Sequence, residues 1–316
     1  GQAARAAALR LGIGDLRAIE RCGRRREQAE QRERGQACRA ATRPPRLPAL
    51  ALLGLLAPAA AALDCAQIPD AEAQRCCARS LPERSMQQTV RATVTDASGT
   101  LREIAGELSW KRLDDGYAAI RVDVSAPPAD AGTSVLLTHR PAADDLLAGA
   151  RAYLYDPNQR RDRLISVDVL TGELLGLGIS YEDFAVMYGV RDDLAFTRLP
   201  DEDFDGRRVI VVEAAPRDAD AAYDAGMEYA RIVARFDAER CVALDTRFYE
   251  QGDEPRKRLV ADPAEIREQD GRWVPHRVTL RETAADTQTT ITIESVTFDP
   301  DLHDVLFNRS SLKRGR

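Results

Sequence analysis

The sequence predicts a mainly β protein, a long antiparallel meander that curls into a barrel or half-barrel and carries few helices. Three observations predict it. Short runs with period-two alternation recur along most of the chain after Pro82, the pattern of half-buried strands. Turn residues separate these runs closely, leaving no room for parallel βαβ units. The runs number about 11, more than a strongly twisted open sheet carries comfortably without curling.

The elements follow in order. Residues 1–42 are rich in Ala, Arg and Gln and have no aromatic side chain. Such a segment buries too little apolar surface to offset its ordering entropy, so a disordered or non-native extension is expected. In residues 43–62, Arg43 and Arg46 precede an apolar run from Leu47 to Ala57, and Ala60-Ala61-Ala62 offers small residues at a cleavage site. This is the layout of a signal peptide. A membrane anchor is the alternative, but Pro58 cuts the run short of the roughly 20 residues a span needs. Asp64 stands before Cys65 where a lipid-attachment site would have a small residue. Residues 63–316 are then expected to form a single exported domain.

Export places Cys65, Cys76, Cys77 and Cys241 in an oxidising compartment, where bridges form. Four cysteines allow three connectivities. Cys65 with Cys76 or Cys77 is the preferred local pair; free thiols are the alternative.

The run "DAEAQRCCARSL" (70–81) reads as a helix. Strands follow at 88–96, with Val90, Ala92 and Val94 on one face, at 99–113 and at 117–127, with Asp115-Gly116 as a hairpin signal between the last two. Further runs lie at 133–140, 150–157, 162–169, 207–216, 229–238, 241–250, 255–263, 272–283 and 287–298.

Between the two halves sits "GISYEDF" (178–184), which puts a hydroxyl, a phenol and two acids in one short run. Ser180 is a good helix N-cap, with Asp183 three residues on in a weaker form of the capping box. Glu182 and Asp183 complement the helix dipole. Tyr181, Phe184, Ala185 and Tyr188 follow helical spacing. A nucleophilic reading of Ser180 fails on spacing, because Glu182 stands where the Gly-x-Ser-x-Gly elbow needs glycine. His139, His276 and His303 are far apart in sequence.

Other motifs point to turns. "DEDFDG" (201–206) starts like a calcium loop, but Val212 occupies the twelfth position and a strand-like run follows. "NQRRDR" (158–163) reads as a solvated hairpin end, or else as a contact for a lipid headgroup or an acidic partner. Net charge is −6, so nucleic acid is not an expected partner. No metal site, cofactor or catalytic residue is expected.

The order of "AGTSVLLTHRP" (131–141), "RAYLYDPNQRRDRLI" (151–165), "GISYEDF" (178–184) and "RWVPHRVTLRE" (272–282), ahead of a terminal "LFNRSSL", resembles the outer-membrane lipoprotein-sorting family, the LolA-like periplasmic carriers. The likeness covers roughly residues 86–312. It implies a half-open antiparallel β-barrel of about 11 strands with a helical lid over an apolar cavity. It implies a monomeric periplasmic carrier that binds the acyl chains of a lipoprotein or lipid and moves it towards the outer membrane. An inner-membrane exporter and an outer-membrane acceptor are the implied partners. The alternatives are a lipid-sensing module on the same fold and an exported hydrolase. "SWKRLDDGYAAIRVDVSAP" (109–127) is similar to the carrier stretch whose arginine latches the lid, which makes Arg112 the latch candidate. Alternation then nominates cavity-facing pairs: Val135 with Leu137, Tyr153 with Tyr155, Ile210 with Val212, and Leu244 with Phe248. Phe184 and Met187 are expected to close the mouth from the short helix.

Overall fold

The structure, a computed structural model, describes residues 65–113, 117–139, 150–165, 173–189, 191, 193–224, 226–283 and 286–314. The expected extension (1–42), the signal peptide (43–62) and the Asp115-Gly116 turn lie outside the described residues.

Helix α1 (Ala71–Ser80) begins at Asp70, whose carboxylate accepts the Glu72 N–H at 2.7 Å. Six antiparallel strands follow: β1 (Ser85–Asp96), β2 (Gly99–Arg112), β3 (Ala118–Ala126), β4 (Ser134–His139), β5 (Ala150–Asp156) and β6 (Arg161–Ile165). After α2 (Tyr181–Met187) come β7 (Leu194–Phe204), β8 (Arg207–Pro216), α3 (Ala219–Asp224), β9 (Arg231–Asp237), β10 (Ala243–Tyr249) and β11 (Lys257–Ala261). Strands β12 (Ile266–Gln269) and β13 (Arg272–Pro275) form a separate hairpin. Then β14 (Arg277–Glu282) and β15 (Thr287–Phe298) rejoin the main sheet, and two 3-10 turns end the chain.

The main sheet has 13 strands in the order β6-β5-β4-β3-β2-β1-β15-β14-β11-β10-β9-β8-β7. It is not closed; β6 and β7 are its free edges. The expected mainly β, open antiparallel architecture is present, but its strand count of about 11 is corrected to 13 in one open sheet with a two-stranded satellite. The pattern missed β7 because Pro200, Asp201 and Asp203 in it look like a turn. Proline is tolerated on an edge strand, and the register slips between Leu199 and Glu202 beside it. "DEDFDG" closes the β7–β8 hairpin: Asp205 and Gly206 both have positive φ, as tight hairpin turns require.

The sheet bends. Laid flat, 13 strands would span roughly 58 Å at about 4.8 Å each, yet eight neighbouring strands from β1 to β7 line one cavity. Bulges at Thr89/Val90, Val94/Thr95, Ala105/Gly106 and Ala243/Asp245 supply local curvature.

The chain passes from one sheet edge, β6, to the opposite edge, β7, through the segment that bears α2. That topology lays the segment across the inner face. Leu174, Leu177 and Ile179, from the glycine-rich stretch before α2, join Ile104, Leu108, Ile120 and Val135 in the main core. The same stretch needs left-handed backbone at Gly178 (φ +65°), where Thr289 packs 3.4 Å from the position a Cβ would take. This half of the inner face is filled by the chain itself. The other half holds the cavity.

The outer face is covered in two places. Leu302, Phe307 and Leu312 of the C-terminal segment pack on Leu113, Ala119 and Leu136. The β12–β13 hairpin brings Ile266 and Trp273 against Val209, Val211 and Leu244.

Candidate functional site

A cavity of about 280 Å³ lies between the inner face and the two helices. Its walls are side chains from alternate positions on the strands: Met86, Ile232, Phe248, Leu259, Ile291 and Phe298 among them. The C-terminal part of α1 with the following Leu81-Pro82 closes one side, Ala185 to Gly189 close another, and β13 contributes Arg272 to Pro275. An enclosure of this size and lining suits a hydrocarbon better than a charged substrate.

Both helices are fastened. Two disulfides, Cys65–Cys77 and Cys76–Cys241, tie α1 to the 3-10 turn before it and to the β9–β10 connection. The second bridge joins residues 165 apart in sequence. The bridges fit an oxidising, extracytoplasmic compartment. Arg272 on β13 adds a further tie. Its Nη1 donates to the Leu81 carbonyl at 2.6 Å and to that of Arg79 at 3.4 Å, and its guanidinium lies 5.2 Å from the Phe298 ring.

Helix α2 is held by the residues of "GISYEDF". The Ser180 hydroxyl accepts the Asp183 N–H at 3.0 Å, and Asp183 Oδ2 accepts the Ser180 N–H at 2.8 Å. Asp183 also accepts from Tyr229 Oη at 2.5 Å and from Lys257 Nζ at 2.7 Å. Glu182 pairs with Arg191, which in turn holds Asp193 through Nε at 2.8 Å; Glu182 Oε2 accepts the Glu228 N–H at 2.7 Å. These charges are buried and mutually paired, as burial demands. Burial pushes the Glu182 carboxyl up to about 7, against the opposing pull of Arg191. Burial also pushes the Tyr181 phenol up to about 12 and raises that of Tyr188. At the far end Tyr188 donates its hydroxyl to Gln88 at 3.0 Å, and its carbonyl accepts Trp110 Nε1 at 3.1 Å. The Ser180 hydroxyl is thus engaged in capping.

The nominated residues divide. Met187, Val212 and Phe248 line the cavity. Phe184 is buried beside it and stacks on Tyr188, with ring centroids 4.9 Å apart. Val135 and Leu137 share the inner face but lie in the filled half of the core. Ile210 packs on α1 with Ile68, Ala73 and the bridged cysteines.

Tyr153 and Tyr155 sit elsewhere. They pair with Leu136 and Ser134 and pack on the outer face under the C-terminal segment. Leu244 is also on the outer face. It is the extra residue of the Ala243/Asp245 bulge, so alternation breaks between it and Phe248. Arg112 lies with its guanidinium 5.8 Å from the Trp110 ring; Arg272 is seated on the carbonyls at the end of α1.

Ala185, Val186, Tyr188, Ile232, Leu259 and Ile293 line the cavity without having been nominated. The alternation of "TQTTITIESVTF" carried the signal for Ile293, and the helical spacing of "SYEDFAVMY" that for Tyr188.

Comparison with solved structures finds the same fold. A putative outer-membrane lipoprotein-sorting protein domain from Vibrio parahaemolyticus matches with a TM-score of 0.66 at 21% identity, over 77% of this chain and 97% of that one. A DUF1329 family protein from Desulfovibrio piger matches with a TM-score of 0.66 at 17% identity, over 80% and 99%. A LolA superfamily protein from Nitrosomonas europaea matches with a TM-score of 0.57 at 14% identity, over 75% and 97%. At these identities the likeness is one of fold. A comparison with curated protein sequences gave no match. A family model described as uncharacterized protein-like matches residues 119–314, more than half of the chain. The chain belongs to that family, and its architecture is that of the LolA-like lipoprotein-sorting domains.

Proposed function

We propose that the protein is a periplasmic carrier that shelters the acyl chains of a lipoprotein or lipid and shuttles them towards the outer membrane. The observation that carries this reading is the hollow half of the inner face, lined mostly by apolar side chains and flanked by two fastened helices. Transfer of hydrocarbon from water into such a space is favourable by roughly 0.8 kcal/mol per CH₂. The three structures of the same fold support it, two of them lipoprotein-sorting or LolA superfamily proteins. Residues 43–62 act as the signal peptide and 63–316 as the working domain, with 1–42 an extension that plays no part in it. An inner-membrane exporter loads the carrier and an outer-membrane acceptor unloads it. The protein works by binding rather than catalysis: the one hydroxyl in its most reactive-looking motif caps a helix.

The test is to purify the exported chain, extract it with organic solvent and identify the extract by mass spectrometry. Acylated species in near-stoichiometric amount are expected. A protein that binds no fluorescent acyl probe, yet turns over an ester and loses that activity on Ser180→Ala, would overturn the reading.

A further inference from the structure

The charges at the cavity select among acyl ligands. Acids outnumber bases in the whole chain, 51 Asp and Glu against 45 Lys and Arg. Among the described residues that line the cavity, however, the charged side chains are Arg79, Arg191 and Arg272, with no carboxylate. A plain hydrocarbon has no use for such a bias.

The three arginines differ in how their charge is met. Arg191 is buried between Glu182 and Asp193, so its charge is spent inside the protein. Arg272 faces Glu83 at 3.1 Å, a carboxylate that is itself 73% exposed, where an ion pair contributes little. Arg79, exposed in the last turn of α1, has no carboxylate within ion-pair distance among the described residues. Arg272 donates to the main-chain carbonyl of Arg79, so its guanidinium sits against the helix end that carries Arg79, and both residues line the cavity. Each brings to it a charge that carboxylates of the described residues meet weakly or not at all, and an anionic group there gains charge-assisted hydrogen bonds.

Resting on the carrier reading above, we propose that the cavity takes an acyl lipid with an anionic headgroup, bound at the rim by Arg79 and Arg272. The tail lies among Met86, Phe248, Ile291 and Phe298, and the charge stays at the wet edge. The carboxylate of a fatty acid and the phosphodiester of an anionic phospholipid share this chemistry.

Displacement of a bound fluorescent acyl probe from the purified protein tests it. The competitors are oleate against methyl oleate, and dihexanoyl phosphatidylglycerol against dihexanoyl phosphatidylcholine, each pair matched in tail. At least one anionic member should bind about ten-fold or more tightly than its uncharged or zwitterionic match, as charge-assisted hydrogen bonds at a partly dry site allow. Which pair shows the preference identifies the carboxylate or the phosphate as the natural charge. Arg79→Gln should remove the preference, and Arg79→Glu should reverse it. Equal affinity within both pairs, or a preference that survives both Arg79 variants, overturns the inference and leaves the acyl carrier standing. Failure of every competitor, and of the probe itself, to bind removes the carrier reading and this inference with it.

Discussion

Lys257 Nζ on β11 lies 2.7 Å from Asp183 Oδ2 on α2, and both side chains are almost wholly withdrawn from solvent. The pair ties the helix over the cavity to the strand beneath it across 74 residues of sequence. Removing one partner leaves a charge with no water and no counter-ion. Lys257→Met should cost about 3–5 kcal/mol in denaturant unfolding. Asp183→Asn with Lys257→Met should cost less than the sum of the two single changes, because neither charge is then stranded.

Glu182 makes stability depend on pH. Its carboxyl is raised from 4.5 to about 7 in the folded protein, chiefly by burial. The folded state therefore holds this proton where the unfolded chain has lost it. The contribution is fully present below about pH 4.5 and is lost as pH rises towards 7. Comparing unfolding of the protein with that of Glu182→Gln at pH 5 and pH 8 checks the sign. The parent's stability relative to the variant should fall between the two.

The two disulfides should differ in strength. Cys65–Cys77 closes a separation of 12 residues and Cys76–Cys241 one of 165. Loop-closure entropy gives about 3 kcal/mol for the first and about 5 kcal/mol for the second. Thermal unfolding of the paired Cys→Ala variants should rank them in that order.

Filling the cavity should displace its occupant with little harm to the fold. Ala234 lines the wall on β9 and is only half-buried. Ala234→Trp places a large ring in existing space rather than in a packed core, where overpacking costs about 1–3 kcal/mol. Lipid recovered from the purified variant should drop several-fold while its melting temperature stays near that of the parent.

The C-terminal segment is held by charge as well as by packing. Asp162 on β6 pairs with Arg309 and, at 2.9 Å, with Lys313, which together hold its carboxyl down at about 2. Its contribution is present above the ordinary aspartate range and is lost as pH falls towards 2. Asp162→Asn should speed proteolysis of the tail at neutral pH and remove most of the acid dependence of that cleavage.

Most of the sheet was legible because alternation is a local signal: Val90 and Val94, or Ile291 and Ile293, declare a strand on their own. Helix α2 was legible for the same reason, its cap and acids standing within four residues. Which face is hollow was not. Tyr153 and Tyr155 alternate as well as Val135 and Leu137 do, but a distant stretch, Leu302 to Leu312, decides that the tyrosines are covered from outside. Leu244 was lost to a one-residue bulge, which reverses every assignment made by parity. Strand β7 was lost because its edge position, the fact that excuses Pro200, is a property of the whole topology. The arginine on the helix-end carbonyls sits on β13, a satellite strand that no local pattern linked to α1.

The Cys76–Cys241 bridge imposes a chronology on folding. Its first sulfur emerges early in synthesis and waits in α1 until strands β9 and β10 have been made and brought alongside. One wall of the hollow is therefore sealed only when the second half of the chain is already in place.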